Sequence, residues 1–243
     1  MIPIDPTPIP NPHPPTRRPP FWDYSDLLLF VFLVISSLAL SVLIGVLALA
    51  KLSAPFRLFL PQILWYVLAF VALKALLLVR YQQPFWRSLG WRPISVSAAS
   101  GALLAGPLLV ISIGLLGSAL HMPEIDLPFD QMLGSRGSTL LLGLLLVIIG
   151  PVAEELAFRG FMMPLLIRSL GAVGGIVVTG FIFGCSHGYE YQWSWQYMLL
   201  ISTAGCIFGW AKYKTQSTVA GALMHCTFNL TQFAALLWRS RTI

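Results

Sequence analysis

Apolar residues run along this 243-residue chain in blocks long enough to cross a bilayer, separated by short breaks rich in proline, glycine or charge. A spanning helix needs about 20 mostly apolar residues. By that rule Leu27–Ala50, Leu58–Val79, Val96–Leu120 and a block from Thr139 onward predict spans, and Ala172–His187, Trp195–Ala211 and Thr218–Trp238 predict three shorter ones. The expected fold class is all-α: a polytopic transmembrane helical bundle of about seven spans.

Proline marks the other end of the pattern. Residues 1–20 hold nine of the 18 prolines and no apolar run, so residues 1–22 read as an extended, disordered tail and not as a signal peptide. Residues 23–130 then form an N-terminal set of scaffold helices, poor in polar groups apart from Gln62, Lys74 and serines, with the Lys74 stem able to reach the interface beside Arg80. Residues 131–243 carry the chemistry. Trp22, Tyr24, Trp86, Trp91, Trp193 and Trp195 stand just ahead of spans, where aromatic side chains anchor helices at the membrane surface.

Composition agrees with the pattern. The chain is 57% hydrophobic and only 10% charged, against about 25% in a soluble domain, and its mean hydropathy is +0.79. Its net charge of +6 is scattered over loops and forms no continuous stripe, which argues against nucleic acid and for lipid headgroups as partners. A cytoplasmic N-terminus puts Arg17, Arg18, Arg80, Arg87, Arg92, Arg168, Lys212 and Lys214 inside, with Glu124, Asp126 and Asp130 outside; Lys51, Arg57, Arg239 and Arg241 run against the bias. Cys185, Cys206 and Cys226 fall within spans and read as small apolar filler, although two of them flank histidines closely enough to raise metal ligation.

Charged groups inside these blocks are the informative exceptions. An ionised side chain at bilayer depth costs about 2.5 to 3.5 kcal/mol even on lenient scales, so Glu154, Glu155 and Arg159 must pair, face a wet cavity or bind a ligand. Glu155 and Arg159 are four apart, which suits an ion pair on one helix face. Adjacent helical residues point about 100° apart, which leaves Glu154 for a central polar cavity. His187 follows Phe183 by four and Asn229 follows His225 by four. If the helix from Thr139 reverses at Gly171, Glu154 and His187 lie level, about 22 Å from the turn. The same count leaves His225 about 12 Å nearer the cytoplasm.

A carboxylate, two imidazoles and an amide supply a base, a second acid/base or ligand, and a donor for developing negative charge. Two hydrolytic routes are open. Glu154, His187 and His225 could hold a divalent metal, zinc by preference, with an open position for water. Alternatively, without metal, Glu154 and His187 activate water while His225 and Asn229 stabilise the oxyanion. The spacing is not the compact His-Glu-x-x-His of soluble zinc proteases.

Glu154-Glu155-x-x-x-Arg159, Phe183-x-x-x-His187 and His225-x-x-x-Asn229, in this order in the last 90 or so residues, resemble the three motifs of the CPBP intramembrane proteases. That family contains the type II CAAX prenyl endopeptidases and their bacterial bacteriocin-processing and immunity relatives. The resemblance implies a multi-pass endopeptidase with its cavity in the bilayer, cleaving a membrane-associated, in some relatives lipidated, protein or peptide. It implies that Glu154 and His187 activate water, His225 and Asn229 hold the oxyanion or a metal, and Glu155 and Arg159 shape the site, with Phe183 in support. Small size and the proline-rich tail fit a bacterial plasma-membrane member. Two other classes use the same residues: a non-catalytic immunity or scaffold protein, and a proton-coupled transporter with a carboxylate–histidine relay. The absence of a visible internal repeat weighs against the transporter.

Overall fold

Blocks that are apolar on every face can satisfy their backbone within a bilayer only as helices or closed barrels, and this chain makes helices. The computed structural model describes residues 19–48, 54–125, 133 and 135–240. The expected tail, apart from its last four residues, lies outside that range, as do Lys51, Asp126, Asp130 and Arg241. Among the described residues there is no strand.

Helix α1 is Tyr24–Ala48 and α2 is Ala54–Ala75, the latter continued by a wide π-helical turn at Leu76–Arg80. A short α3, Phe85–Ser88, leads to α4, Val96–Ala119. The next helical run contains α5 (Arg136–Leu144), a π turn (Leu145–Ile149), α6 (Gly150–Glu155), a second π turn (Leu156–Met162) and α7 (Met163–Ser186). Helices α8 (Trp195–Thr215) and α9 (Thr218–Arg239) complete the order.

The reversal expected at Gly171 is present. Its φ of 74° and ψ of 174° interrupt α7, a conformation open to glycine because it lacks a Cβ. The chain folds back there, so that Phe158 and Phe183, almost equidistant from the turn, meet with ring centroids 5.2 Å apart.

Four helical stretches among the described residues are long and apolar enough to cross a membrane: Tyr24–Leu47, Phe59–Arg80, Val96–Ala119 and Arg136–Ser186. The last is 51 residues long and contains the Gly171 reversal, so it accounts for two of the expected spans. Helices α8 and α9 fall short of that standard, and a full count of seven is not established by length and composition. The reason lies in the polar residues they carry: Gln196, Ser202, Lys212 and Lys214 on α8, and Thr227, Asn229 and the buried His225 on α9.

The surface is inverted relative to a soluble protein. Leu28 and Leu104 are 71% and 67% exposed, and both lie on runs of outward-facing apolar residues on α1 and α4. Inside, three clusters hold the helices together. Trp22, Phe30, Leu73, Leu77, Leu89, Leu156, Phe161 and Leu165 lock α1 and α2 onto the second π turn. Ala102, Leu109, Ala204, Phe208, Met224 and Phe228 join α4, α8 and α9, so α4 packs on the C-terminal helices. Phe59, Leu142 and Leu145 join α2 to the first π turn.

Small residues set the closest approaches, as is usual between helices in lipid. A Cβ on Gly184 would lie 2.1 Å from Ser202 Oγ, and one on Gly106 would lie 2.1 Å from Thr227 Oγ1. These fix the α7–α8 and α4–α9 contacts.

Trp22 departs from its expected role as a surface anchor. It is fully buried, stacks on Phe161 at 5.2 Å and donates its indole N–H to the Phe161 carbonyl at 3.0 Å. Its polar handle finds a partner inside the bundle, so nothing draws it to the interface. Trp86, Trp193 and Trp195 remain well exposed.

Candidate functional site

Glu155 and Arg159 sit on the last turn of α6 and in the second π turn, both fully buried, with Nη1 2.8 Å from Glu155 Oε1. The pair is therefore where four-residue spacing puts it. A buried guanidinium must have more than one partner to offset its lost hydration. Arg159 donates Nη2 to the Gly205 carbonyl at 2.9 Å and lies over the Phe183 ring at 4.3 Å, with Phe158 and Phe208 at 5.8 and 5.6 Å. Three aromatic faces thus cage the cation. Gly205 is required here, because a Cβ would lie 2.9 Å from Phe183 Cδ1 and 3.1 Å from Arg159 Nη2.

His225 stands between the two glutamates. Its Nδ1 is 3.2 Å from Glu155 Oε1 and its Nε2 is 3.8 Å from Glu154 Oε2. The ring stacks on Phe208 at 4.5 Å. Gly221, one turn before it on α9, admits the Glu155 side chain, since a Cβ there would lie 2.6 Å from Oε2.

This placement corrects the depth count for His225. The count put all helical turns on that side at one level. Instead, Thr218 donates from N and Oγ1 to the carbonyls of Gly90 and Leu89, at 2.9 and 2.6 Å, and Ser217 Oγ donates to the Arg92 carbonyl at 2.6 Å. These bonds anchor the start of α9 on the α3–α4 connection, and His225 reaches the glutamates.

Glu154 leaves the helix about 100° round from Glu155 and meets the opposite edge of the His225 ring. Its side chain is 22% exposed, and Tyr66 Oη on α2 donates to Oε1 at 3.4 Å. Tyr66 was not among the residues singled out in the sequence. A tyrosine in an apolar span carries no spacing signal toward a helix 88 positions away.

His187 caps the C-terminal end of α7. Its Nδ1 donates to the Phe183 carbonyl at 2.8 Å, which leaves Nε2 unprotonated in the neutral ring and open for a proton or a water. It joins the cluster through Phe183, whose ring lies 4.7 Å from His187 and 5.7 Å from His225. Glu190, in the loop after α7, lies within electrostatic reach of both His187 and Glu154. Burial raises its carboxyl above the ordinary 4.5, an effect His187 partly offsets.

Asn229 is committed in part to the backbone. Its Nδ2 donates to the Leu146 carbonyl at 2.7 Å. That carbonyl is available because the Gly150 N–H bonds to Leu145 in the π turn, and the next residue, Pro151, has no N–H to give. One amide hydrogen of Asn229 is spent there, and the other remains for a ligand.

Among the described residues no three His, Cys, Asp or Glu side chains are grouped to hold a metal ion. Of Glu154, His187 and His225, the first and last approach each other through Oε2 and Nε2, while the Phe183 ring lies against both histidines. The cysteines are free thiols. An enclosed polar cavity at the glutamates is not established; Arg159, Phe183 and Phe208 pack together beside them, and the Glu154 side chain keeps 22% of its surface exposed. A groove of about 600 Å³ lies elsewhere, between α1 and α2, lined by apolar side chains with Arg80 at one end.

Fold and cluster together define a helical membrane protein that keeps two carboxylates, a guanidinium and an imidazole in contact among its apolar helices. Residues 136–231 match the family model described as type II CAAX prenyl endopeptidase, Rce1-like. The match spans all three motifs, from Glu154 to Asn229, so the resemblance read from them holds over this region. No curated protein and no solved structure matches the chain.

Proposed function

We propose that the protein is an intramembrane endopeptidase that hydrolyses a peptide bond of a membrane-associated, lipid-modified protein or peptide. The observation that carries this reading is His225 held between Glu154 and Glu155. Two carboxylates face one guanidinium, so the cluster has one negative charge beyond Arg159, and a proton taken from water balances it.

The gap of 3.8 Å between Glu154 Oε2 and His225 Nε2 is long for a direct hydrogen bond and suits a water shared by the two groups. Glu154 takes that water's proton as its oxygen attacks the scissile carbonyl carbon. His187, with Nε2 free to accept, is the second base on the water, and the second hydrogen of the Asn229 amide is the donor for the oxyanion. The proton then passes to the leaving nitrogen, the C–N bond breaks, and a carboxylate and an amine leave. Glu155, held by Arg159, orients His225 through Nδ1 as the single aspartate of a Ser-His-Asp triad orients its histidine.

No step runs through a metal. The test is cleavage of a prenylated peptide by the protein in proteoliposomes, wild type beside E154Q and H187A, with metal content measured on the same preparations. Loss of cleavage in E154Q supports the reading. Full cleavage by a stably folded E154Q protein rejects it. About one zinc per chain, lost in both variants, would replace the direct route with the metal route.

A further inference from the structure

One face of the molecule gathers the start of α1, the end of α2, the start of α4, the Gly171 turn and the α8–α9 turn, as the bonds Tyr24–Ser169, Arg80–Asp26 and Thr218–Gly90 require. Arg80 on this face is paired with Asp26, at 3.0 Å. Arg92 and Lys212 are not so paired.

The backbone of Arg92 is bound to Ser217, the N-cap of α9, and Arg92 lies three residues before Ser95, the N-cap of α4. It therefore stands near the positive ends of two helices. Lys212 comes close to the same segment, its Cε against Gly90, and the Arg92 charge acts on it directly. Among the described residues no carboxylate forms an ion pair with either. The C-terminal end of α8 accounts for basic residues in its last turn. It does not account for Arg92, which gathers with Lys212 where both helix ends repel it. Trp86 and Trp210, each about half exposed, mark this corner as membrane interface, and Lys214 lies over the Trp210 ring at 4.7 Å.

We propose that Arg92 and Lys212 bind the phosphate headgroup of an anionic membrane lipid at this corner. The charge complement is a phosphodiester at interfacial height, with its acyl chains beside α4 and α8. The site bears on the catalytic cluster through α9: the helix whose first turn is pinned here carries His225 seven residues later.

The experiment is native mass spectrometry of the full chain released from nanodiscs of equal phosphatidylglycerol and phosphatidylcholine. Each cation near an anionic surface contributes about a fivefold preference, so wild type should retain phosphatidylglycerol on the order of tenfold or more over phosphatidylcholine. R92Q/K212Q should lose most of that preference, R92K/K212R should keep it, and R136Q, at the start of α5, should leave it unchanged. Excess inorganic phosphate should not displace the lipid. Equal retention of both lipids by wild type overturns the proposal, whether or not the variants fold. Unchanged preference in R92Q/K212Q overturns it also, and displacement by phosphate reassigns the site to the free anion. The readout is lipid retention, so it stands apart from any failure of peptide cleavage.

Discussion

Glu154 and Glu155 are neighbours in sequence with opposite fates, and substitution should separate them. E154Q removes a proton acceptor while keeping shape, so kcat should fall by about 10²–10⁴-fold with melting temperature little changed. E155A leaves Arg159 buried without its counter-charge, which costs about 3–5 kcal/mol, so this variant should show a large loss of thermal stability in detergent. A melting curve beside each activity measurement tells the two apart. G221A places a methyl group 2.6 Å from Glu155 Oε2 and should cost about 1–3 kcal/mol, with activity falling alongside. Near-wild-type behaviour of G221A would mean that Glu155 can yield without consequence.

Helical elements here depart from α geometry where the site needs it. The π turns at Leu145–Ile149 and Leu156–Met162 bracket the short α6 that carries both glutamates. Pro151 withholds the N–H that could have closed on Leu146, and Asn229 takes its place. P151A restores a donor to compete for that carbonyl, which should release the Asn229 amide and lower activity on the order of tenfold to a hundredfold in a protein that still folds. Full activity in P151A would remove the link between the π turn and the site.

Charge and packing across the whole molecule govern how it responds to pH and truncation. Glu190 is half-buried in a loop outside the spans, and lost hydration holds its carboxyl above 4.5. A carboxyl whose folded-state pKa is raised contributes stability below its unfolded value, and that contribution is lost as pH rises through the folded value. Wild type should therefore lose stability relative to E190Q from about pH 4.5 upward, read as the difference in melting temperature across a pH series. Parallel curves for the two proteins would show that Glu190 is not set by burial. W22A should cost about 3–5 kcal/mol, because it empties the joint between α1 and the second π turn and orphans the Phe161 carbonyl.

Much of the architecture is legible along the chain through local rules: apolar blocks make helices, a four-residue spacing pairs Glu155 with Arg159, and a glycine reverses the chain at position 171. Each depends on neighbours within a few turns, so spacing suffices. Packing between distant helices puts His225 between the carboxylates, brings Tyr66 to Glu154, makes Trp22 core, and turns His225 and Asn229 of α9 toward the other helices. Those outcomes rest on the level at which one helix is pinned against another, here by Ser217 and Thr218 on residues some 125 positions earlier, and no periodicity along the chain encodes that level.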